Sequence, residues 1–438
     1  MMALPRKRQA LSLREIVAVT VTAGASALDH RSAAARAARA ARREARAVAV
    51  AGVADPRIDR VMVRKAVLNP AANAVAAAIG AAHRPPEAAS MGASVLPIEL
   101  HAGARIRAHV AREGFRFEDF PQVLGAAGGP KWLSLYGMDR VLAPRVRAAA
   151  RSRGTPTDLI GASIGAWRFA AWAHDDPVAA LDRLFEAYVD PTPFANPTAS
   201  FDALFRHYLD AMFEDGGREQ ILECVPLKLH AIVAGFSARG PHLPRLGWAA
   251  VRNAVSRERF LRGLERIIVG ARPLDAELAS AWPHRHLALD ADTLVPALLA
   301  TAAVPGMLAP IRDLDPKVRA IDGGIVDYHF DGSPCAGRFT LYPHFRDTLT
   351  PGWFDKPWRA RHRAAAEVDD LLVICPSPAF VAELPGARIP DRGDPRRYGA
   401  EACARNWRRA GELSRRLGEA LEDVLERDRI PELLAGAA

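Results

Sequence analysis

The pattern of apolar and polar positions divides the chain into two parts near residue 100. From there onward, short apolar runs bounded by Gly or Pro alternate with longer amphipathic stretches. Short runs of this kind are typical of buried strands, and the longer stretches are typical of helices that cover a sheet. Residues 101–438 are therefore predicted to form one α/β domain, with a mainly parallel central sheet between two layers of helices.

Several elements of this domain can be placed from the pattern. Buried strands are predicted at Phe120–Ala126, Asp158–Ala162, Leu227–Phe236, Val318–Ile321 and Leu371–Ile374. Helices are predicted at Trp132–Ala149, Ile164–His174, Arg257–Val269, Asp292–Ala302 and Cys403–Arg427. Active sites of such folds lie at the carboxyl ends of the strands, so the segments that follow the strands are the first candidates for chemistry.

The first part of the chain, residues 1–100, is predicted to be a disordered, Ala/Arg-rich extension. Its stretch from Ser32 to Ala51 is nearly all Ala, Arg and Val, with no apolar face of Leu, Ile or Phe to bury. Residues 1–60 hold twelve Arg and Lys against five Asp and Glu, and so supply seven of the nine formal positive charges. The charge therefore indicates at most a basic arm for an anionic surface, and no nucleic-acid partner is predicted for the domain.

The cysteines give no sign of a metal site or a disulfide framework. They are Cys224, Cys335, Cys375 and Cys403, and none has CxxC or zinc-ligand spacing. Free thiols favour a reducing compartment, so a cytoplasmic location without metal or cofactor is expected. No apolar run reaches the roughly 18 residues that a membrane span needs.

The pentapeptide Gly161-Ala162-Ser163-Ile164-Gly165 lies between a predicted strand and a predicted helix. This G-x-S-x-G spacing and context are typical of a nucleophile elbow, in which a serine on a sharp turn projects its hydroxyl group above the sheet. The flanking glycines are needed because side chains there would collide with neighbouring backbone. A serine that only caps the following helix is the alternative explanation.

A second glycine-rich segment, Gly125–Lys131 (GAAGGPK), follows the first predicted strand. It lacks the spacing of a Walker loop or a dinucleotide-binding loop, so a nucleotide site is disfavoured. Its backbone N–H groups suit an anion. In a hydrolase, Gly128 and Gly129 would be the leading oxyanion donors and Lys131 would add positive potential. A tight turn without a ligand is the alternative.

The third segment is Asp322-Gly323-Gly324, which follows the predicted strand Val318–Ile321. A serine hydroxyl is a poor nucleophile without an adjacent base, and Asp322 could accept its proton directly. The same residues could also form a simple turn. Two nearby carboxylates are weaker candidates for the base, Asp327 and Asp331.

In this order, AAGGPK, GASIG and IDGG resemble the motifs of the patatin-like phospholipase family, and residues 300–306 (ATAAVPG) resemble the stretch that precedes its catalytic aspartate. The resemblance spans about residues 118–330 and implies a patatin-like three-layer α/β/α fold. It also implies a Ser163–Asp322 dyad that hydrolyses a lipid or other hydrophobic acyl ester without a metal. Gly128 and Gly129 would line the oxyanion hole, and Lys131 matches the basic residue of the loop.

Two other functions stay open at this stage. His329 and His344 follow Asp322 in the chain, so a Ser-Asp-His triad of the α/β-hydrolase type is the first alternative. Ala127 and Trp132 stand where the family usually has glycine, so a lipid-binding protein with a decayed hydrolase site is the second.

One segment outside these motifs bears on partners. Pro351–Trp358 (PGWFDKPW) is followed by arginines at positions 359, 361 and 363, which places aromatic rings beside cations. This combination suits peripheral contact with a membrane or an entrance for acyl chains. A surface loop packed by its own aromatic side chains is the alternative.

Overall fold

The computed structural model of the protein describes residues 96–191, 200–237 and 242–436. Residues 1–95 of the predicted disordered extension lie outside the described residues. The first strand, Ile98–Ala102, crosses the boundary predicted near residue 100, so the sheet begins slightly before residue 101.

Strands of the described residues are labelled in chain order. They are β1 (Ile98–Ala102), β2 (Gln122–Gly125), β3 (Thr157–Ala162), β4 (Leu227–Ser237), β5 (Glu265–Gly270), β6 (Arg285–Ala288), β7 (Val318–Asp322), β8 (Thr340–Pro343), β9 (Thr348–Leu349), β10 (Arg363–Ala364) and β11 (Leu371–Pro376). Nine of them form one sheet in the order β1-β11-β8-β2-β3-β4-β5-β6, in which β7 also pairs with β4, and β9 pairs with β10.

The sheet is mostly parallel. Neighbouring strands from β11 to β4 run parallel, as do β5 and β6, whereas β1 pairs antiparallel with β11 and both β5 and β7 pair antiparallel with β4. Every residue of β2, β3 and β11 is buried, so both faces of the sheet are covered there. The predicted α/β class with a mainly parallel central sheet is therefore confirmed.

Helices flank this sheet and are also labelled in chain order. They are α1 (Ala104–Glu113), α2 (Tyr136–Arg153), α3 (Ile164–Trp172), α4 (Pro177–Val189), α5 (Phe201–Met212), α6 (Gly217–Glu223), α7 (His242–Val255), α8 (Arg257–Leu261), α9 (Ala276–Ala281), α10 (Leu294–Thr301), α11 (Pro378–Glu383), α12 (Asp394–Tyr398), α13 (Ala400–Glu426) and α14 (Ile430–Gly436). Short 3-10 turns at Gly129–Ser134, Gly323–Ile325 and Trp353–Asp355 bear on the candidate site.

The helix predicted for Arg257–Val269 is wrong beyond its first turns. Helix α8 occupies only Arg257–Leu261, where the Ser256 side chain caps it, and the chain then enters β5. The run Arg266–Val269 is rich in β-branched residues, which fit a buried strand better than a helix. Pairing of β5 with β4 therefore decides the structure of this segment.

Candidate active site

Ser163 and Asp322 lie side by side because two strands end at the same point of β4. Strand β3 runs parallel to the first half of β4, with Ala162 opposite Ile232. Strand β7 runs antiparallel to the second half, with Asp322 opposite Val233. Since β5 occupies the other edge of β4, β3 and β7 approach each other end to end. The residue after β3 consequently faces the last residue of β7.

The backbone of Ser163 is strained and its side chain does not cap the helix. Its φ is 55° and its ψ is −127°, a conformation that residues other than glycine rarely adopt. Its N–H donates to Thr301 Oγ1 at 2.8 Å, and the Thr301 hydroxyl donates to the carbonyl of Ile232. The Ser163 hydroxyl donates to Asp322 Oδ2 at 3.1 Å. This geometry is that of a nucleophile elbow, and it does not fit a simple N-cap serine.

The glycines on either side of Ser163 have no room for a side chain. A Cβ atom on Gly161 would lie 2.5 Å from the backbone nitrogen of Ala166. A Cβ atom on Gly165 would lie 2.2 Å from the carbonyl oxygen of Gly125, at the end of β2. Both predicted glycines therefore let the start of α3 pack directly on the strands beneath it.

Asp322 is a buried base candidate, with 4% of its surface exposed. Burial raises the pKa of its carboxyl group above the ordinary value. The positive charges of Arg392 and Lys356 and hydrogen bonds from Gly324 and Ser163 offset part of this effect. Asp322 is therefore a stronger proton acceptor than an exposed aspartate and still has cations nearby that favour its ionised form.

Gly323 and Gly324 shape the turn that holds this carboxylate. The N–H of Gly324 donates to Asp322 Oδ1 at 2.7 Å, which leaves Oδ2 for the Ser163 hydroxyl. A Cβ atom on Gly323 would lie 2.1 Å from the carbonyl oxygen of Ile232. The two glycines thus bring β7 close to β4 and orient the carboxylate.

The glycine-rich loop after β2 borders both halves of the dyad. The N–H of Ala127 donates to the carbonyl of Tyr328 at 2.9 Å, so this amide is not an oxyanion donor. The amides of Gly128 and Gly129 donate to no other group of the described residues, and Gly129 has a φ of 57°. A Cβ atom on Gly324 would lie 2.7 Å from the Cβ atom of Ala127, so the loop lies against the turn of the base. Because the amide of residue 127 is already bonded to Tyr328, alanine in place of glycine at this position leaves the two free amides of the loop unchanged.

Lys131 lies at the same loop, with its Nζ atom 5.4 Å from the centre of the Phe345 ring. Burial, followed by the charge of Arg346, lowers the pKa of Lys131 to about 8. Its aliphatic chain also fills the space next to Gly128, where a Cβ atom would lie 3.1 Å from Lys131 Cδ. Lys131 therefore supplies positive potential next to both candidate donors.

Neither candidate histidine completes a triad. His329 Nδ1 accepts a hydrogen bond from the N–H of Thr350 at 3.2 Å, and His344 Nδ1 lies 2.5 Å from the carbonyl oxygen of Arg346. Burial lowers the pKa of both rings, that of His344 to about 3, so both are neutral. Neither ring is hydrogen-bonded to the Ser163 hydroxyl or to the carboxylate facing it.

The two weaker base candidates hold other parts of the fold together. Asp327 forms a buried bidentate pair with Arg266, with distances of 2.5 and 2.8 Å. Asp331 accepts a hydrogen bond from the N–H of Ser333 at 3.0 Å and lies 3.7 Å from Arg257. Both are therefore occupied as structural partners of cations and backbone groups.

Buried contacts fix helix α3, which carries the serine. The guanidinium of Arg168 donates to both carboxylate oxygens of Asp139 on α2, at 2.6 and 2.5 Å, and both side chains are almost completely buried. The aromatic residues Trp167, Phe169 and Trp172 are buried as well, as expected for core packing. These buried contacts hold the helix that follows Ser163, and with it the strained turn, in position.

Three residues at the site were not singled out from the sequence. Thr301 lies in the ATAAVPG segment, but its bridge between Ser163 and β4 becomes visible only in the fold. Lys356 lies in the aromatic segment 351–358, and its Nζ atom is 3.9 Å from the centre of the Tyr328 ring. Arg392 carries no motif, and its Cγ atom would lie 3.4 Å from a Cβ atom on Gly129.

One group of side chains offers three ligand types within 4.8 Å of one another, namely Glu99, His101 and Cys375. Sequence spacing could not reveal it, because β1 and β11 bring the residues together. Burial raises the pKa of the Cys375 thiol, which disfavours the thiolate that a metal requires. His101 Nε2 already lies 3.2 Å from Glu99 Oε2. The group therefore fits a hydrogen-bonded surface pair beside a buried thiol.

Two neighbouring segments present exposed apolar side chains. Trp248 is 61% exposed and Val251 is 48% exposed on α7, while Trp353 and Trp358 are 40% and 44% exposed in the aromatic segment. Asn253 of α7 joins the segments by donating to Asp355 at 2.8 Å. The tryptophans of the segment are thus not fully packed against their own loop. In the part of the chain that the structure describes, no helix is long and apolar enough to span a bilayer.

The chain matches no model of a protein family, no curated protein and no solved structure. The contacts of Ser163, Asp322 and the loop beside them therefore define the chemistry that this site could perform.

Proposed function

We propose that the protein is a serine acyl hydrolase of the patatin-like type, a lipid esterase or phospholipase A-like enzyme with a Ser163–Asp322 dyad. The observation that carries this proposal is the 3.1 Å hydrogen bond from the strained Ser163 turn to the buried Asp322 carboxylate. Strain of this kind is retained only where the surrounding fold enforces it, and it is concentrated at functional sites. A helix cap would require no such conformation.

The reaction follows from the positions of these groups. Asp322 takes the hydroxyl proton while Ser163 Oγ attacks the carbonyl carbon of the ester. The oxyanion that forms accepts hydrogen bonds from the amides of Gly128 and Gly129. When the C–O bond breaks, Asp322 returns the proton to the leaving alcohol and the acyl group stays on Ser163. Water then attacks the acyl-enzyme, Asp322 takes the water's proton, and the carboxylic acid leaves as Ser163 regains its hydrogen.

The electrostatics of the site support this sequence of steps. Burial raises the pKa of Asp322, which makes its carboxylate a better acceptor for a hydroxyl proton. The N-terminus of α3 follows Ser163 directly, and its backbone dipoles favour negative charge at the reaction centre. Lys131 adds positive potential beside the candidate oxyanion donors.

A lipid substrate would reach the site from a membrane surface. Trp248, Trp353 and Trp358 are exposed on two segments that hydrogen bonds hold together, and Arg361 lies 5.5 Å from the Trp358 ring. Aromatic rings mixed with arginines are typical of proteins that lie on a lipid interface. Lys356 connects this surface to the site, because its Nζ atom lies 5.5 Å from the Trp353 ring and 3.9 Å from the Tyr328 ring.

Covalent labelling tests the proposed nucleophile. A fluorophosphonate probe reacts with an activated serine, so we expect mass spectrometry to place the label on Ser163 in the wild-type protein. The Ser163→Ala variant should take no label, and Asp322→Asn should label at least about 100-fold more slowly because its serine lacks a base. No labelling of the folded wild-type protein would favour a lipid-binding protein with a decayed hydrolase site.

A further inference from the structure

A cluster of cationic side chains surrounds the loop with the candidate oxyanion donors. Its members, called the cationic rim below, are Lys131, Arg346, Lys356 and Arg392. Lys131 Nζ and Arg346 Cζ both lie near the ring of Phe345, at 5.4 and 5.8 Å from its centre. Two of the four charges therefore share one side of the loop.

The other two cations border the loop through different contacts. The side chain of Arg392 passes Gly129, with its Cγ atom 3.4 Å from the position of a Cβ atom there. Lys356 Nζ lies 3.9 Å from the ring centre of Tyr328, whose carbonyl accepts the N–H of Ala127. The charges of both side chains also act on Asp322. Arg392 and Lys356 thus lie near the candidate base, while Lys131 and Arg346 lie on the Phe345 side of the loop.

The cationic rim has no carboxylate in ion-pair contact within the part of the chain that the structure describes. None of its members forms an ion pair with a carboxylate of the described residues, and the polar contact of Arg392 is with the sulfur of Met307 at 3.9 Å. The charge of Asp391 acts to raise the pKa of Lys131, but Asp391 forms its ion pair with Arg388, at 2.7 Å. Arg266, close to the same region of the sheet, has its own aspartate at 2.5 Å. The members of the rim thus lack the direct carboxylate partner that Arg266 has.

Like charges held together cost free energy unless an anion joins them. The cost is visible in the half-buried Lys131, because burial and the charges of Arg346, Arg388 and Arg392 lower its pKa to about 8. The Asp322 carboxylate supplies one negative charge, and the oxyanion of the proposed reaction supplies a second for a short time. The two arginines and two lysines together carry more positive charge than these groups neutralise while the lysines stay protonated, so positive charge remains available for a bound ligand.

We infer that the cationic rim binds a negatively charged group of the substrate. This inference rests on the acyl hydrolase function proposed above and narrows it to acyl esters that carry a phosphate or a carboxylate. Neutral acyl esters, such as uncharged acylglycerols, lack a group that could occupy the rim. Arginines suit such an anion because their planar guanidinium groups match carboxylate and phosphate oxygens.

A matched pair of substrates tests the inference. Mono-p-nitrophenyl adipate and p-nitrophenyl hexanoate have acyl chains of equal length, and only the first carries a charge. We expect the wild-type protein to show a kcat/KM at least about tenfold higher for the adipate, the gain of one hydrogen-bonded charge pair. Arg392→Gln should remove most of this preference, measured as the ratio of kcat/KM for the two esters within the same variant. Equal kcat/KM for both esters would overturn the inference while the acyl hydrolase function stands.

A control variant and a binding measurement complete the test. Arg151 is exposed in the last turn of α2, before β3 begins and therefore away from Ser163, so Arg151→Gln should leave the adipate preference unchanged. Calorimetric titration of inorganic phosphate and of acetate into the full-length Ser163→Ala protein measures anion binding without catalysis. We expect binding that Arg392→Gln weakens about tenfold, and tighter binding of phosphate would identify a phosphoester as the anionic group. If neither ester is hydrolysed, the proposed function fails, and this titration still decides whether the rim binds anions.

Discussion

At the scale of single residues, the account depends on the strained conformation of Ser163. Its φ of 55° and ψ of −127° suit glycine and are costly for any residue with a Cβ atom. We expect Ser163→Gly to be more stable than Ser163→Ala by about 1 kcal/mol, because relief of the strain exceeds the entropy that glycine gains in the unfolded chain. Urea unfolding of both inactive variants measures the difference. An alanine variant that is more stable than the glycine variant would mean that the turn is not strained.

A second prediction at this scale concerns pH. The carboxyl of Asp322 must be ionised to accept a proton, so activity should rise with pH through its pKa, which burial places above the ordinary value. Hydrolysis of an anionic ester should fall again near pH 8, because the pKa of Lys131 is lowered to about 8 and this lysine loses its charge there. A profile of kcat/KM against pH for the adipate and hexanoate esters checks both limbs. If kcat/KM for the neutral hexanoate ester falls at high pH as much as it does for the adipate, the fall cannot be due to lost attraction between Lys131 and the charge of the substrate.

The sequence indicated Ser163 and Asp322 as a pair, and the structure brings them within hydrogen-bond distance, but the sequence did not indicate all of the residues around them. Ser163 and Asp322 can be recognised in the sequence by the glycines beside them. Glycine is required at these positions because the close backbone contacts leave no room for a side chain. Thr301, Lys356 and Arg392 lie in ordinary local sequence and gain their positions only from the fold. Contacts between distant segments leave no local pattern, so a single sequence could not reveal them.

At the scale of elements, the close packing of α3 on β2 gives a direct prediction. A methyl group at Gly165 would lie 2.2 Å from the Gly125 carbonyl oxygen, so Gly165→Ala must displace the nucleophile turn. A shift of about 1 Å is expected to lower kcat by about 100-fold. Gly247→Ala is the matched control, since its methyl group meets no atom within 4 Å in helix α7. That control should keep full activity and stabilise the protein by about 0.5–1 kcal/mol in urea unfolding. Full activity of Gly165→Ala would contradict the described packing.

The elements themselves were predictable where burial is simple. Strands β2, β3, β4, β7 and β11 are apolar runs bounded by glycine or proline, and the predictions overlap them. The helix prediction for Arg257–Val269 was wrong because this segment contains a short capped helix and then a buried strand, with no long loop between them to mark the change. Strands β1 and β8 were not predicted, because they are short or mixed in polarity. Only their pairing with β11 in the folded sheet identifies them as strands.

At the scale of the whole molecule, the fold places the dyad and the exposed tryptophans on connected segments. Trp248 and Trp353 are 61% and 40% exposed, and the hydrogen bond from Asn253 to Asp355 joins their elements. We expect the protein to bind vesicles of phosphatidylcholine and phosphatidylglycerol in sedimentation experiments. The double variant Trp248→Ala/Trp353→Ala should bind at least about tenfold more weakly, because each tryptophan loses apolar surface that lipid would cover.

A control separates this effect from a general loss of apolar surface. Val225 is 74% exposed just before β4 begins, at the end of that strand away from the junction with β3 and β7. Val225→Ala should bind vesicles as the wild type does. The Val225→Ala variant and the double tryptophan variant should hydrolyse short soluble esters at equal rates. Unchanged vesicle binding by the double tryptophan variant would rule out these segments as the lipid-binding surface.

The central claim is that Ser163 and Asp322 form a catalytic dyad without a histidine. Hydrolysis of p-nitrophenyl esters of increasing chain length by wild type, Ser163→Ala, Asp322→Asn and His329→Ala tests it most directly, with circular dichroism as the check of folding. We expect an active wild type and His329→Ala, and a loss of at least about 1,000-fold in the two dyad variants. Activity that survives in folded Ser163→Ala, or that disappears in folded His329→Ala, would contradict the dyad.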